Sequence, residues 1–420
     1  MTIKWTFYVL DRVMSNFSIK TKLYPASAFS IFLCFVIVIP KSAVVFLILF
    51  FAIQLIKNMR NSCALKLNTS STLFLLIGFG AWLAITGFWS FDYLALQQSI
   101  LKVVLLILAG CTLFFAKMGS PDLIKSDGSS WLEASGAMGF GVIVLAFLYA
   151  SVTGQSLWGS YYFDPLTTLN NNAVVLSLMF WPFILVLPKK TLFYLFSGIC
   201  IFSLLLALKS LAAIGALVVG ISVIAGRKIG GRRVGVLMAV IAALLVIAAP
   251  SLIKISGAGS FATPFGINNE SLGFTSSSRH RLAMWSFATE KIDEKPWLGW
   301  GFGASRHIPQ EAWRLAPNME IMPLHPHNLA LQTRLELGLP GSLILAGLVF
   351  SVFYRLATFT NDGWVSGLAM APAAGWLFVA NVSYGMWQSW WIALAFLLAI
   401  FMKFALASRQ RSVESPDTDL

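Results

Sequence analysis

The chain has 420 residues, of which 58% are hydrophobic and 11% charged, and its formal net charge is +13. This composition excludes an ordinary soluble globular protein, in which about a quarter of the residues are charged. A basic balance also occurs in nucleic-acid-binding proteins, but here basic loops on one side of a membrane explain it, and no nucleic acid is expected as a partner.

Apolar runs long enough to cross a bilayer recur from one end of the chain to the other. The runs are continuous rather than alternating, which indicates helices and not the strands of a barrel. We therefore predict an all-α polytopic membrane protein with about twelve transmembrane helices. The predicted segments are 24–39, 42–57, 72–89, 97–116, 136–152, 172–188, 191–208, 210–226, 234–250, 341–357, 364–382 and 386–406.

These segments divide the chain into five parts. Residues 1–23 combine basic and apolar side chains in a pattern typical of a short interfacial helix. The membrane helices fall in 24–250 and 341–407. Between them lies a large outer loop, 251–340, which contains short helices, and the tail is 408–420. Nineteen of the 30 Lys and Arg residues lie on the side of the N-terminus. Because basic loops stay in the cytoplasm, both termini are predicted to be cytoplasmic and the loop to face the opposite side.

The outer loop contains one helix that the sequence predicts clearly. Ser278 is a suitable N-cap, and Pro296 would end the helix after Glu294. Apolar residues at helical spacing predict a face that lies along the membrane surface: Leu282, Trp285, Ala288 or Thr289, and Ile292. The GWGFG sequence at 299–303 lacks the Lys-Ser ending of a phosphate loop, so we predict a tight turn whose backbone approaches the membrane helices.

Basic residues at or near the outer face indicate an anion site there: Lys102, Lys209, Arg279 and Arg281. Lys102 and Lys209 interrupt apolar segments. A charged side chain in such a position either faces a cavity or partner, or extends to the membrane interface. Both readings stay open for these two lysines.

The sequence HPHN at 325–328 holds two of the four histidines in the chain. A neutral imidazole, with an ordinary pKa of about 6.5, can take a proton from a hydroxyl group near neutral pH. We expect this role for His327, since Asn328 and the helix after it would fix its geometry. His325 either supports it or is an ordinary polar loop residue. Glu336 either orients a base or balances a local charge such as Arg334.

A metal site can also be drawn from the residues of the outer loop. His307, His325 and His327 could be combined with Glu311 or Glu320. Their spacing matches no pattern of metal ligands, so no metal is predicted.

Two arrangements of residues in the outer loop carry a resemblance. The first is Arg281-Leu282-x-x-Trp285 followed by Pro296-Trp297-Leu298-Gly299-Trp300-Gly301, and the second is His327-Asn328, nine residues, Gly338, two residues and Gly341. They resemble the signatures of the O-antigen ligase and polymerase family of bacterial envelope glycosyltransferases, the second being similar to that of the ligases. The topology fits too, so the resemblance covers most of the chain. Where that family has an arginine after its seventh segment, the nearest cation here is Lys209, which keeps the charge but not the bidentate fork.

The resemblance implies a glycosyltransferase of the GT-C-like type in the bacterial inner membrane, with its active site facing the periplasm. It implies an inverting transfer, without metal or cofactor, of a glycan from undecaprenyl diphosphate to lipid A-core. His327 would be the base, and Arg281 with Lys209, Arg279 and Lys102 would bind the diphosphate. Outer aromatic residues would stack on sugars or form an interfacial belt: Trp158, Tyr161, Tyr162, Trp297 and Trp300.

Three other functions were weighed for this sequence. An O-antigen polymerase joins repeat units instead of transferring them to the lipid core. A protein O-oligosaccharyltransferase usually carries an added soluble domain, whereas the tail here is short. A transporter of lipid-linked sugars would be expected to have two related halves and broken helices.

Overall fold

The computed structural model describes residues 36, 39–60, 70–91, 93–115, 165–186, 198, 210–256, 276–310, 314–316 and 319–414. These residues contain nine α-helices, joined in places by short 3-10 turns. The helices are α1 Ala43–Arg60, α2 Ser71–Thr86, α3 Tyr93–Phe115, α4 Pro165–Val186, α5 Leu211–Ile255, α6 Ser276–Glu294, α7 Leu329–Thr358, α8 Gly363–Val382 and α9 Ser389–Glu414. Strands β1 (Arg314–Ala316) and β2 (Met319–Glu320) pair antiparallel in the segment before α7.

The described structure confirms a helical protein with membrane-spanning character. Four helices are long and apolar enough to cross a membrane, namely α2 with the 3-10 turn that follows it, α5, α7 and α8. Shorter apolar helices lie within α1, α3, α4 and α9. The total of about twelve segments stays a prediction. The segments predicted at 24–39, 136–152 and 191–208 lie almost entirely outside the described residues.

Helix α5 corresponds to two predicted segments, 210–226 and 234–250. The predicted loop between these segments is replaced by a tight kink at Gly231, whose backbone (φ 59°, ψ −156°) is not helical. Arg227, just before the kink, is fully buried instead of solvated. Its Nε donates to Ser366 Oγ at 2.9 Å and its Nη2 to the carbonyl of Ala357 at 3.0 Å. Arg227 therefore joins the kink of α5 to the last turn of α7 and the first turn of α8.

Helix α7 begins inside the predicted outer loop and continues through a kink at Gly338 (φ 66°, ψ −160°). The kink, together with Pro340, which has no N–H, releases carbonyl groups that a straight helix would satisfy internally. Trp300 N donates to the carbonyl of Leu335 and Gly301 N to that of Glu336, both at 2.9 Å. The helix thus extends from Leu329 without leaving these carbonyls unpaired.

The turn at 299–303 has the tight geometry that its glycines predict. Gly299, Gly301 and Gly303 all have positive φ. A Cβ at position 299 would lie 2.6 Å from the backbone N of Gly338, and one at position 301 would lie 2.7 Å from Cα of Ser90. The prediction that this backbone approaches the membrane helices is therefore confirmed.

The buried face of α6 agrees only in part with the predicted one. The predicted Ala288, Thr289 and Ile292 are buried, whereas the predicted Leu282 and Trp285 are half-buried, and the face also includes Ala283, Met284 and Phe287. The reason is that α6 packs against the start of α7 on one side and the segment around Ile321 on the other. Burial follows these neighbours and not a single membrane surface. The orientation of α6 relative to the membrane stays a prediction.

The described contacts group the helix ends on two sides of the bundle. On one side, Ser90 Oγ donates to the carbonyl of Phe302 at 2.8 Å, and the hydroxyl group of Tyr384 donates to Asn171 Oδ1 at 2.7 Å. On the other side, Lys403 Nζ donates to the carbonyl of Phe114 at 3.1 Å. The first side carries the segment 276–328, and we call it the loop side.

Candidate active site

The HPHN sequence forms a tight turn at the start of α7, on the loop side. His327 has φ 53° and is the one non-glycine residue with positive φ in the part of the chain that the structure describes. The carbonyl of Pro326 accepts a hydrogen bond from Trp285 Nε1 at 2.8 Å. Asn328 is the N-cap of α7, since its Oδ1 accepts from Leu331 N at 3.0 Å. Asn328 and the helix that it caps therefore follow His327 directly, and their role in fixing the geometry of His327 stays a prediction.

The hydrogen bond of the His327 ring defines its tautomer. Nδ1 lies 2.5 Å from the carbonyl oxygen of Ser383, and a carbonyl can only accept, so Nδ1 carries the proton. Nε2 of the neutral ring is then an acceptor. Burial lowers the pKa of His327, and the charges of Arg281 and His280 lower it further, although the bond to Ser383 raises it. The ring is therefore neutral at neutral pH, as a general base must be.

The side chain of Arg281, which lies on α6, is held by a backbone carbonyl group at the end of α8. Its Nη1 donates to the carbonyl of Val382 at 2.6 Å. Burial lowers the pKa of Arg281, although Tyr384 raises it, and a guanidinium remains charged. Val382 and Ser383 lie at the C-terminal end of α8, where carbonyl groups have no partner within the helix. The end of α8 thus holds both Arg281 and His327.

Arg281 and His327 line a cavity of about 160 Å³ between α6 and the segment 323–327. The other lining residues are His280, Met284, Pro323, Leu324 and His325. His280 was not recognised from the sequence as a site residue, although it is one of the four histidines and adjoins Arg281. Its Nε2 lies 2.7 Å from the carbonyl oxygen of Ile321. The cavity therefore combines one guanidinium and three imidazoles with a largely apolar wall.

His325 lies beside the proposed base and is buried, with 9% of its surface exposed. The ring centroids of His325 and His327 are 4.3 Å apart. Burial lowers the pKa of His325 to about 3, with further contributions from His327 and Arg306. His325 is thus a neutral, packed residue at the site, in contrast to an ordinary polar loop residue.

Glu336 is fully buried at the centre of a hydrogen-bond network on α7. Its carboxylate accepts from Gly303 N at 2.7 Å and Trp387 Nε1 at 2.5 Å, and also from Ser305 Oγ and Gln332 Nε2. These donors belong to the glycine turn, to α7 and to the segment after α8. Glu336 therefore joins the pieces of backbone around the site, and the hydrogen bonds described for its carboxyl group involve neither a histidine nor Arg334.

Among the remaining predicted cations, only the side chain of Lys102 lies in the part of the chain that the structure describes. Lys102 has an exposed side chain on α3 and does not line the cavity. Arg279 lies in the first turn of α6, but its side chain is outside the described residues, and so is the whole of Lys209. Their expected role in binding a diphosphate stays a prediction.

The outer aromatic residues differ in what they can contact. Trp300 stacks on Phe91 with ring centroids 5.7 Å apart, and Lys295 Nζ lies 3.9 Å from its ring centroid. The ring of Trp300 is therefore already in contact with two neighbouring side chains, and its expected stacking on sugars stays a prediction. Trp297 is 69% exposed and remains available to a ligand or to the membrane interface. Trp158, Tyr161 and Tyr162 lie outside the described residues.

No three His, Cys, Asp or Glu side chains among the described residues are arranged to hold a metal ion. Glu311, one of the ligands considered from the sequence, lies outside those residues. The absence of a metal from the site stays a prediction.

Comparison with known proteins supports the family that the motifs suggest. The sequence model described as O-antigen ligase matches residues 195–346, which include Arg281, His327 and Gly338. This segment is similar to an O-antigen ligase domain. Val382 and Ser383, whose carbonyls hold Arg281 and His327, lie beyond the matched residues, so the family match covers only part of the site.

The relatives of this chain include proteins provisionally named polysaccharide ligase. One from Rickettsia bellii is 33% identical over 144 residues, and one from Rickettsia conorii is 32% identical over 144 residues. Each match spans 33% of this chain and 35% of the relative, so about a third of each relative's length is covered. No solved structure matches the chain.

Proposed function

We propose that this protein is an O-antigen ligase, which transfers a glycan from undecaprenyl diphosphate to lipid A-core. The observation that carries the proposal is the shared cavity of His327 and Arg281, in which a neutral base and a fixed cation meet. The similarity of residues 195–346 to an O-antigen ligase domain supports the same activity. The cavity holds an acceptor for a hydroxyl proton and a partner for an anionic leaving group.

In the proposed reaction, the acceptor hydroxyl oxygen attacks the anomeric carbon of the donor sugar. Its proton passes to His327 Nε2 as the new C–O bond forms. The bond between the anomeric carbon and the phosphate oxygen breaks, and its electron pair leaves with the lipid diphosphate. Direct displacement inverts the anomeric centre. The protonated imidazole later returns its proton to the solvent or to the leaving phosphate.

Arg281 would stabilise the charge that develops on the diphosphate. Its Nη1 already donates a hydrogen bond to the carbonyl of Val382, so the guanidinium is oriented before any glycan donor binds. Preorganised charges of this kind are effective because they need no rearrangement in the transition state. Lys209, Arg279 and Lys102 are proposed to contribute further positive charge.

We propose that the loop side faces the periplasm and the opposite side the cytoplasm of a bacterial inner membrane. The support is the distribution of basic residues at the ends of the described helices opposite the loop side, among them Lys228, Arg355, Lys403 and Arg409. Single cysteines at His307 and at Asn361, in a background without the native cysteines, test this. A membrane-impermeant thiol reagent added to intact spheroplasts should label only the cysteine at 307.

The function is tested with purified full-length protein, a lipid-linked glycan and lipid A-core. Formation of glycosylated lipid A-core, with an inverted linkage, is the expected result. Elongation of the lipid-linked glycan without transfer to lipid A-core would identify a polymerase instead. Glycosylation of neither acceptor by protein that binds donor would contradict both functions.

A further inference from the structure

The backbone of His327 adopts a conformation that requires support. A residue with a Cβ atom seldom has positive φ, because the side chain then crowds the following carbonyl group. His327 has φ 53°. Residues held in such conformations occur where the surrounding contacts fix them, and they are frequent at active sites. The contacts that hold this turn therefore determine where the imidazole of His327 points.

One of these contacts comes from the side chain of His325. The backbone N–H of His327 donates to His325 Nδ1 over 3.3 Å. A hydrogen bond from a side chain to the N–H two residues later is the one that Asn and Asp make in an Asx turn. His325 is the imidazole counterpart of that turn, and its ring also packs beside the ring of His327.

The surroundings of His325 keep its ring in the orientation that this bond needs. A Cβ at position 385 would lie 2.5 Å from the His325 ring, so Gly385 leaves just enough space for the ring. Only an unprotonated Nδ1 can accept the N–H, so this bond places the ring proton on Nε2. The low pKa of His325, about 3, keeps the ring neutral, so Nδ1 is not protonated as well. Geometry and protonation thus agree on the role of acceptor.

We propose that His325 is a positioning residue, whose Nδ1 holds the left-handed turn at His327 and thereby directs His327 Nε2 into the cavity. The effect on turnover rests on the proposed function, because it requires His327 to be the base. The effect on the turn at His327 does not rest on the proposed function. Two other roles for His325 make different predictions, namely direct binding of substrate and simple filling of space.

Two variants separate these roles. His325→Asn keeps a side-chain acceptor for the N–H of His327, whereas His325→Leu keeps apolar volume without an acceptor. The positioning role predicts that His325→Leu lowers kcat about tenfold, the loss expected for one hydrogen bond, with KM for the lipid-linked donor unchanged. His325→Asn should restore kcat close to that of the wild type.

Other outcomes would overturn the proposal. Turnover of His325→Leu close to wild type would indicate space filling. A rise in KM for the donor in both variants would indicate substrate binding. Equal losses of kcat in folded His325→Asn and His325→Leu would show that the acceptor is unimportant. Gel filtration and the thermal unfolding midpoint establish that each variant is folded.

A second measurement does not depend on transferase activity. Diethyl pyrocarbonate acylates neutral imidazoles, and mass spectrometry reports the rate at His327 relative to the exposed His307 in the same chain. The relative rate should change in His325→Leu and remain at the wild-type value in His325→Asn. Equal rates in all three proteins would overturn the positioning role. If His327→Ala retains full turnover while the rates follow the expected pattern, the positioning holds and the proposed function fails.

Discussion

His327 and Ser383 are joined by a hydrogen bond from imidazole Nδ1 to a backbone carbonyl, across 56 positions of sequence. The bond fixes the proton on Nδ1 and leaves Nε2 as the acceptor. The preceding carbonyl, that of Val382, binds Arg281. The end of one membrane helix thereby sets both the tautomer of the proposed base and the position of the proposed anion-binding residue.

Replacement of the base is the most direct test of the site. His327→Ala should reduce turnover by about two to four orders of magnitude, the usual contribution of a general base. Binding of the lipid-linked donor should persist, because the proposed role belongs to the chemical step. Steady-state turnover and donor binding on the same preparation measure both. Near wild-type turnover would remove His327 from the mechanism, and loss of folded protein would indicate a structural role.

The pH dependence of kcat/KM should report the lowered pKa of His327. A base must be unprotonated, so activity should be constant above the pKa and fall as the pH drops through it. Because burial and neighbouring charges lower this pKa, the midpoint should lie below about 6.5, the ordinary value for histidine. His280→Asn removes one of those charges and should move the midpoint upward. A midpoint above neutrality would contradict this assignment.

Arg281 should be needed for its charge and for its planar shape. Arg281→Ala should abolish transfer and weaken donor binding in protein that remains folded. Arg281→Lys should recover only part of the activity, because an ammonium cannot make a bidentate contact with phosphate. Lys228→Ala serves as the comparison, since Lys228 is exposed on α5 and does not line the cavity. Unchanged donor binding in Arg281→Ala would show that Arg281 does not contact the diphosphate.

Replacement of the carboxyl group of Glu336 by an amide should destabilise the protein. Glu336→Gln places an amide NH2 against hydrogen-bond donors, so at least one buried donor loses its acceptor. Each such loss lowers the free energy of unfolding by about 1 to 3 kcal/mol. Thermal unfolding followed by tryptophan fluorescence should therefore show a lower midpoint for Glu336→Gln than for the exposed control Glu320→Gln. Equal midpoints would mean that the network contributes little.

The kink of α7 should require glycine at position 338. A Cβ there would lie 2.1 Å from the carbonyl oxygen of Trp297, and the backbone has φ 66°. Gly338→Ala should lower the yield of folded protein and displace the turn at 299–303. Gly347→Ala, in the same helix, is the matched control, because its Cβ would make ordinary contacts at 3.5 Å. Similar yield and melting of the two variants would show that the kink tolerates a side chain.

The sequence by itself determined the helical membrane class and the start and end of α6 within a few residues. These features depend on local composition, because an apolar run, a capping residue or a glycine acts on its own neighbourhood. It also indicated Arg281 and His327 before any distance was known.

Only the tertiary structure decided which groups surround those two residues. The carbonyls of Val382 and Ser383 carry no side-chain signal, and only the packing of α8 against the start of α7 brings them to the site. In the same way, the sequence around Trp300 gave no sign that Phe91 and Lys295 contact its ring. Backbone acceptors and shared burial arise from contacts between distant segments, and local sequence patterns do not encode those contacts.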